Sequence, residues 1–388
     1  MFSKKTVRDI ELKNKKVLLR AMLNVPIKDG VVGDKMRLSA ALPTINYLIE
    51  QGASIILISH HSHEGQSLAP VAPVLAELVG RSVSFVDDCM GDKVTEAAST
   101  LQPGNLLMLE NLRFHPEEEA NDEEFAKFLA SLGDVYVNDD FTTSHRKHAS
   151  LVGIPKFLPA VAGLEVEHEV ITITESLDNP SRPLIAVTGG AKISTKIPIV
   201  AFVLSKVDAI FIGGAMANTF LLAEGRTVGN SLVELDQVET AGKIMETAKA
   251  GAKTILLPID VVVTTDLEKL TDVRTINVSA VGENDIIADI GPESVAQLNG
   301  LLKSEGTVIW NGPVGIAEEK LFAGGTKATA EAIINSGAYS IICGGDTADY
   351  VDGAGLANKF SFVSTGGGAS LELMCGNDLP GIEVLQDK

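Results

Sequence analysis

Residues 340–373 decide the fold, because they contain two similar junctions between a strand, a glycine run and a helix. The first is Ser340-Ile-Ile-Cys-Gly-Gly-Asp-Thr-Ala348, and the second is Phe360-Ser-Phe-Val-Ser-Thr-Gly-Gly-Gly-Ala-Ser370. A buried strand followed by glycines leaves backbone N–H groups uncovered at a helix N-terminus, where the helix dipole favours an anion. Both junctions therefore predict a loop that binds phosphate.

Three strands upstream end in the same way. They are Leu184-Ile-Ala-Val-Thr-Gly-Gly-Ala-Lys192, Ala209-Ile-Phe-Ile-Gly-Gly-Ala-Met-Ala-Asn218 and Thr307-Val-Ile-Trp-Asn-Gly-Pro313, the last ending in a turn. One glycine pair is more often a tight turn than a binding loop. Because the carboxyl ends of parallel strands lie along one edge, we expect all five loops to converge on one crevice. The spacing from Gly189 to Lys196 does not fit the P-loop, which disfavours an ordinary Walker-type NTPase.

Length and composition predict a two-domain globular protein. A chain of 388 residues is too long for one ordinary core, and its 45% hydrophobic and 21% charged residues are typical of a soluble protein. No stretch is apolar enough to span a bilayer, and the polar N-terminus lacks a signal core, so we expect a cytoplasmic protein. The widely spaced Cys89, Cys343 and Cys375 favour reduced thiols over disulfides or a zinc site.

The formal net charge of −19 argues against general affinity for nucleic acid or anionic membranes. Loops that bind phosphate nevertheless require an anionic ligand. We therefore expect a locally basic cleft on an acidic protein.

Strands and helices alternate through both halves of the chain, which predicts an α/β fold of two similar-sized domains. Each domain is expected to be a Rossmann-like parallel sheet flanked by helices, and a hinge helix is expected to join them. The predicted parts are a first domain at 1–163, an interdomain helix and linker at 164–180, a second domain at 181–376, and a tail at 377–388 that returns to the first domain. Strands are also predicted at 255–257, 261–263 and 286–290, and the Thr- and Asp-rich region 264–281 is predicted to be irregular.

Cationic side chains follow the predicted strands of the first half. The residues after these strands are Arg20, Asn24, His60, His63, Arg113, Asn138, His145 and Arg146. Arginine suits bidentate binding of carboxylate and phosphate, so these positions supply the expected basic cleft. The alternative is that each arginine is a surface residue paired with a nearby carboxylate.

Several longer motifs of the chain are specific to one family. They are Asn24-Val-Pro, Arg37-Leu-Ser-Ala-Ala-Leu-Pro-Thr-Ile45, Leu109-Glu-Asn-Leu-Arg-Phe114, Val137-Asn-Asp139, Gly189-Gly-Ala-Lys192, Trp310-Asn-Gly-Pro-Val-Gly315, Gly344-Gly-Asp-Thr347 and Ser364-Thr-Gly-Gly-Gly-Ala-Ser-Leu-Glu372. Through these motifs the chain resembles the phosphoglycerate kinase family over essentially its full length. The resemblance implies phosphoryl transfer between 1,3-bisphosphoglycerate and ADP, giving 3-phosphoglycerate and ATP, with Mg²⁺ and closure of the two domains. A monomer is expected.

The resemblance also implies roles for individual residues. The implied catalytic residues are Arg37, Lys192, Gly345 and Gly368, and Arg37 and Lys192 would flank the transferred phosphoryl group. The implied substrate-binding residues are Arg20, Asn24, Arg37, His60, Arg113 and Arg146. The implied nucleotide-binding residues are Gly190, Lys192, Lys196, Gly214, Asn311, Pro313, Glu318, Gly344, Gly345, Asp346 and Thr347. Asp346 would also bind the metal.

Plainer roles remain open for several of these residues. Asp346 could be a helix N-cap without a metal, and Lys192 could be a surface lysine. His60 and His145 could each be structural histidines.

The chain departs from the family pattern mainly on the substrate side. Met22 replaces an aspartate that binds a substrate hydroxyl, His63 replaces a substrate arginine, and Asp140 replaces an alanine. The other changed positions are His61, Ser62, Glu64, Thr142, Ala215, Cys343 and Thr195. Two hypotheses follow: an active phosphoglycerate kinase, favoured because Arg37 and Lys192 are retained, and a nucleotide-binding protein of the same fold whose activity is lost or redirected.

Overall fold

The computed structural model describes residues 2–33, 35–62, 65–191, 194, 196–270 and 272–388, without the side chains of residues 197–199. The chain divides into two units by its internal contacts. The first unit is Met1–Ile171 together with Asp378–Lys388, and the second is Thr172–Asn377. Each unit is built around its own six-stranded sheet.

The sheet of the first unit has the strand order β5-β6-β4-β1-β7-β8, and every pairing in it is parallel. A separate hairpin pairs β2 with β3. The elements in chain order are β1 Lys16–Ala21, β2 Ile27–Lys28, β3 Val31–Val32, α1 Met36–Glu50, β4 Ser54–Ile58, α2 Val71–Val79, β5 Val83–Val86, α3 Asp92–Thr100, β6 Leu106–Leu109, α4 Glu123–Ala130, β7 Val135–Asp139 and β8 Ala160–Ala162. The next helix, α5 Leu164–Asp178, contains the boundary between the two units, which falls after Ile171.

Burial explains why these segments form a parallel sheet. Strands β4, β6 and β7 are buried along their whole length, and the edge strand β5 is only partly buried. Continuous apolar runs are expected of strands covered on both faces. The apolar side chains of α1 and α2 pack on this sheet, with Leu38, Ile45 and Leu75 fully buried in the same core.

The second unit has a parallel sheet in the order β11-β10-β9-β15-β16-β17 and an antiparallel sheet in the order β13-β12-β14. Among the described residues, no helix is both long and apolar enough to cross a membrane. The elements are β9 Leu184–Thr188, α6 Ile197–Lys206, β10 Ala209–Ile212, α7 Gly214–Ala223, α8 Val238–Ala250, β11 Thr254–Leu256, β12 Asp260–Thr264, β13 Arg274–Asn277, β14 Ile286–Ile290, α9 Pro292–Leu301, β15 Thr307–Asn311, α10 Gly324–Ser336, β16 Tyr339–Cys343, α11 Gly345–Gly353, β17 Phe362–Val363 and α12 Gly368–Met374.

The five glycine junctions predicted from the sequence are confirmed as neighbours. Their strands are β9, β10, β15, β16 and β17, and all five lie in the parallel sheet of the second unit. Their carboxyl ends therefore lie along one edge.

Two details of the second half differ from the prediction. The strands predicted at 261–263 and 286–290 form, but they lie in the antiparallel sheet. The region 264–281 is not wholly irregular, because it contains β13. This strand is mostly exposed and polar, so it lacks the apolar alternation that identifies a strand in a sequence. It is held by backbone pairing with β12.

The C-terminal residues pack on the first unit, where they form the short helix α13 Pro380–Glu383. The backbone N–H of Gln386 donates to the carbonyl oxygen of Ala160 at 2.9 Å. The N–H of Lys5 donates to the carbonyl oxygen of Gln386 at 2.7 Å. The last residues thus lie between the N-terminal segment and the start of β8.

Candidate active site

The carboxyl ends of β9, β10 and β15 approach so closely that only glycine fits there. A Cβ atom on Gly189 would lie 2.0 Å from the carbonyl oxygen of Pro313. A Cβ atom on Gly214 would lie 2.7 Å from the backbone nitrogen of Gly190, and Gly214 also has a φ of +62°. Both the spacing and the left-handed backbone therefore require glycine at position 214.

Helices α7 and α11 begin at this edge without a side-chain cap. Their N-cap residues are Gly213 and Gly344, and neither helix has a capping hydrogen bond from a side chain in the part of the chain that the structure describes. By contrast, Asp122 caps α4 through a bond to the N–H of Phe125 at 2.9 Å. Uncapped helix N-termini present N–H donors to an anion.

Lys196 brings a cation to the same loops. Its Nζ atom donates to the carbonyl oxygen of Gly189 at 2.6 Å. Burial lowers the pKa of Lys196 to about 8, and the charge of Asp346 opposes that shift. The ammonium group is therefore charged at neutral pH and lies close enough to Asp346 to interact with it.

Asn311 and Thr347 hold the loops after β15 and β16 together. The Thr347 hydroxyl accepts a 2.6 Å hydrogen bond from the N–H of Gly312, and the Asn311 amide donates to the carbonyl oxygen of Cys343 at 3.0 Å. A Cβ on Gly344 would lie 2.5 Å from Asn311 Nδ2. These contacts fix the loops, and the buried Asn311 Oδ1 atom has no hydrogen-bond partner among the described atoms.

A cleft of about 490 Å³ opens beside these loops. Five of the predicted nucleotide-binding residues line it: Gly190, Gly214, Pro313, Glu318 and Asp346. Most ligand clefts are largely apolar, with a few polar groups that fix orientation. The apolar wall here was not predicted from the sequence, and its residues are Leu232, Leu267, Ile286, Ile287, Ala288 and Ile316. They come from different segments, so no local motif marks them.

Asp346 is the predicted metal ligand, and its position suits that role. It is exposed in the first turn of α11 and lines the cleft. Mg²⁺ is often held by one or two carboxylates together with substrate phosphates, so a single carboxylate beside a phosphate site fits the ion.

One other group of potential metal ligands occurs among the described residues. Asp88, Cys89 and His115 have ligand atoms within 4.8 Å of one another, in the first unit. The Asp88 Oδ1 atom already accepts bonds from the N–H groups of Cys89 and Met90, and it lies 2.8 Å from His115 Nε2. Burial, reinforced by the charge of Asp88, raises the pKa of the Cys89 thiol. We therefore assign these contacts to the structure of the turn after β5.

The first unit gathers four of the predicted substrate-binding residues. Arg20 Nη2 lies 2.9 Å from His60 Nδ1, and both side chains are buried. Burial lowers the pKa of His60 well below its usual value, and the charges of Arg20, Arg113 and Arg146 lower it further. Arg20 therefore contacts this histidine directly, and the charges of Arg113 and Arg146 act on it as well.

Three further residues of this cluster were not predicted. Burial, followed by the charge of Arg146, lowers the pKa of His148 to about 4. Burial raises the pKa of Glu118, and both oxygens of that side chain accept bonds from Ser150. The run from His145 to His148 was a signal for the histidine, but nothing local marks Glu118 or Ser150.

Arg37 and Asn24 are joined next to this cluster. Arg37 Nη1 donates to the carbonyl oxygen of Asn24 at 2.7 Å. The Asn24 amide donates to the Ser62 hydroxyl at 2.6 Å. The Arg37 guanidinium is half-buried, so part of it remains accessible.

Some predicted residues make no side-chain contact that identifies a role. Gly345 and Gly368 are the first residues of α11 and α12. Lys192, His63, Glu64 and Thr195 lie outside the described residues. The catalytic role of Lys192 therefore stays a prediction from the sequence.

The fold and these sites define an α/β protein of two units, one with a glycine-lined cleft of about 490 Å³ and the other with the buried Arg20 and further arginines near His60. The family model described as phosphoglycerate kinase matches residues 7–377. The chain belongs to the phosphoglycerate kinase family, which is a family of enzymes.

Relatives and solved structures agree with this assignment. The chain is 46% identical over 392 residues to the phosphoglycerate kinase of Pelotomaculum thermopropionicum, with 100% of both chains covered. It is 46% identical to that of Moorella thermoacetica over 392 residues, again with 100% coverage of both. The phosphoglycerate kinase structure from Coxiella burnetii matches with a TM-score of 0.87 and 38% identity, covering 98% of each chain. Nothing in these comparisons supports a redirected activity.

Proposed function

We propose that this protein transfers a phosphoryl group between 1,3-bisphosphoglycerate and ADP, giving 3-phosphoglycerate and ATP. The observation that carries the proposal is that one unit has a glycine-lined cleft with uncapped helix N-termini, and that the other has three arginines whose charges act on His60. The full-length similarity to phosphoglycerate kinases supports it.

The nucleotide would lie in the cleft of the second unit. Its base would contact the apolar wall that includes Leu232 and Ile287. The N-terminus of α11 would offer N–H donors to its phosphates, and Lys196 would neutralise part of their charge. Asp346 would hold Mg²⁺, which when bound would supply positive charge that offsets the charge of the phosphates.

The acidic substrate would bind to the cations of the first unit. Arg113 and Arg146 would neutralise its phosphate, because arginine binds such groups in bidentate geometry. Arg37 would donate to the transferred phosphoryl group, with Lys192 on its other side. Little covalent chemistry is then required of the protein, since positioning and charge stabilisation account for most of phosphoryl-transfer catalysis. The two bound substrates must meet for in-line transfer, and domain closure is the step we propose for this.

The remaining expectations belong to the same proposal. We expect a monomer that works in the cytoplasm on small molecules. The net charge of −19 supports the expectation that it does not bind nucleic acid.

The test is steady-state formation of ADP from MgATP, measured with and without 3-phosphoglycerate. We expect turnover that depends on 3-phosphoglycerate and that Arg37→Ala abolishes, while the variant keeps its ADP affinity and its fold. The Arg37→Ala protein also controls for contaminating host enzyme. Measurable ADP binding without any 3-phosphoglycerate-dependent turnover would contradict the proposal.

A further inference from the structure

Arg20 is paired with groups of its own chain at each of its three guanidinium nitrogens. Its side chain is fully buried, and Nη1 lies 2.8 Å from Oδ2 of the equally buried Asp140. Nε donates to the Ser150 hydroxyl at 3.0 Å, and Nη2 lies 2.9 Å from His60 Nδ1. Each of the three guanidinium nitrogens therefore has a partner without any substrate.

The sheet register explains why Asp140 reaches Arg20. Strands β1 and β7 are parallel neighbours in which Ala21 pairs with Asp139. The residues beside this pair, Arg20 and Asp140, thus lie at the same edge. Asp140 also accepts a bond at Oδ1 from the N–H of Thr143 at 3.2 Å, which orients its carboxylate.

Asp140 is a fixed negative charge within a cluster of cations. Arg20, Arg113 and Arg146 all influence the pKa of His60, and Asp140 Oδ2 lies 3.8 Å from His60 Nδ1. A buried charge pair interacts more strongly than an exposed one, because the surroundings screen it less. Because Asp140 and Arg20 are both fully buried, an anion bound at the neighbouring arginines would experience the negative charge of Asp140, and the charge of Arg20 would already be neutralised.

We propose that Asp140 is a specificity-determining residue of the acid-substrate site, because it withholds Arg20 from the substrate. This rests on the proposed function. The site then holds its anionic substrate through Arg113, Arg146 and Arg37, and it binds that substrate less tightly than it would without the Asp140 charge.

The experiment compares Asp140→Asn with Asp134→Asn. Asparagine has the same shape as aspartate and can still accept the bond from Thr143. Asp134 precedes β7 and Asp140 follows it, so the control removes the same charge from the opposite end of one strand. Dissociation constants for 3-phosphoglycerate, inorganic phosphate and ADP are measured for each protein by titration calorimetry.

We expect Asp140→Asn to lower the dissociation constants for 3-phosphoglycerate and phosphate by about tenfold, as removal of one close like charge does. The ADP constant should not change, and Asp134→Asn should change none of the three. Unchanged anion affinity in Asp140→Asn would overturn the proposal. Weaker anion affinity would also overturn it, since that result would mean that Asp140 positions the turn that leads to Arg146.

A double variant covers the case in which Asp140→Asn does not fold. Arg20→Gln/Asp140→Asn removes both buried charges together, which is often tolerated. Because Arg20 contributes nothing to the substrate in the wild type, we expect the double variant to bind 3-phosphoglycerate within about twofold of the wild type. A tenfold loss would overturn the proposal. Turnover of the wild type tests the proposed function separately, and phosphate binding tests Asp140 even where 3-phosphoglycerate is not the substrate.

Discussion

The Lys196 Nζ atom donates a 2.6 Å hydrogen bond to the carbonyl oxygen of Gly189, immediately after β9. This acceptor is neutral, so it compensates only in part for the burial of the ammonium group. Burial accordingly lowers the pKa of Lys196 to about 8. The cation beside the glycine loops is thus close to losing its charge slightly above physiological pH.

ADP affinity should fall as the pH rises through 8. Below its pKa of about 8 the lysine is a cation that attracts phosphate, and above that pKa the lysine becomes neutral. Between about pH 7 and about pH 9 we expect the dissociation constant for ADP to rise roughly fivefold. Calorimetry across this range measures the effect, and Lys196→Met should give weaker binding with a flat profile. A flat profile for the wild type would contradict the prediction.

Gly214→Ala should weaken both folding and nucleotide binding. The new Cβ would lie 2.7 Å from the Gly190 nitrogen and 3.0 Å from the Pro313 carbonyl oxygen, in a backbone with a φ of +62°. We expect a loss of at least about 2 kcal/mol in the free energy of unfolding. The matched control is Gly242→Ala in α8, where nothing lies within 4 Å of the new Cβ.

Denaturant unfolding of the two variants separates crowding from a general effect of alanine. Gly242→Ala should stabilise the protein by about 0.5 to 1 kcal/mol, because alanine favours a helix interior. ADP affinity should drop only in Gly214→Ala. Equal stability changes in both variants would show that the close approach at position 214 is not a constraint.

The glycine loops could be predicted because each one is a local pattern. A strand, a glycine pair and a helix start are adjacent in sequence, and the parallel-sheet rule then places Gly189, Gly213 and Gly344 at one edge. The cluster around His60 was predicted by the same rule. The parallel-sheet rule could not predict which groups those side chains contact.

The pairing of Arg20 with Asp140 shows which contacts cannot be predicted from the sequence. The two residues are far apart in the chain, and only the register of β1 with β7 brings them together. From the sequence alone, Arg20 was expected to bind substrate and Asp140 was only an added charge. The strand β13 was missed for a related reason, since backbone pairing with β12 rather than an apolar face defines it.

Glu165→Gln should stabilise the first unit increasingly as the pH rises. Burial raises the pKa of Glu165 to about 9, and the charges of Glu169 and Asp139 add to the shift. The folded protein therefore binds the Glu165 proton more tightly than the unfolded chain does. The resulting contribution to the free energy of unfolding is fully present below the pKa that Glu165 has in the unfolded chain. That contribution is lost as the pH rises through about 9. Glutamine does not titrate, so the variant does not lose this stability as the pH rises.

Thermal unfolding at about pH 5 and about pH 9 tests the direction of this pH-dependent change in stability. The melting temperature of Glu165→Gln should equal that of the wild type at the lower pH and exceed it at the higher pH. Glu96→Gln, which replaces an exposed glutamate of α3, is the control and should show no such divergence. A constant difference between Glu165→Gln and the wild type at both pH values would contradict the assignment.

Asp346→Asn should separate metal-dependent from metal-free nucleotide binding. Asp346 is exposed beside the cleft, and its charge interacts with Lys196. If the carboxylate holds Mg²⁺ against the nucleotide phosphates, its loss should raise the dissociation constant for MgADP by roughly tenfold or more. Binding of ADP with excess EDTA should stay within about twofold, because the carboxylate then offers the phosphates no attraction. Asp352→Asn, further along α11, is the matched control and should change neither constant. Equal weakening of both forms by Asp346→Asn would show that this residue caps or supports α11 instead, as an N-terminal aspartate can do without any metal.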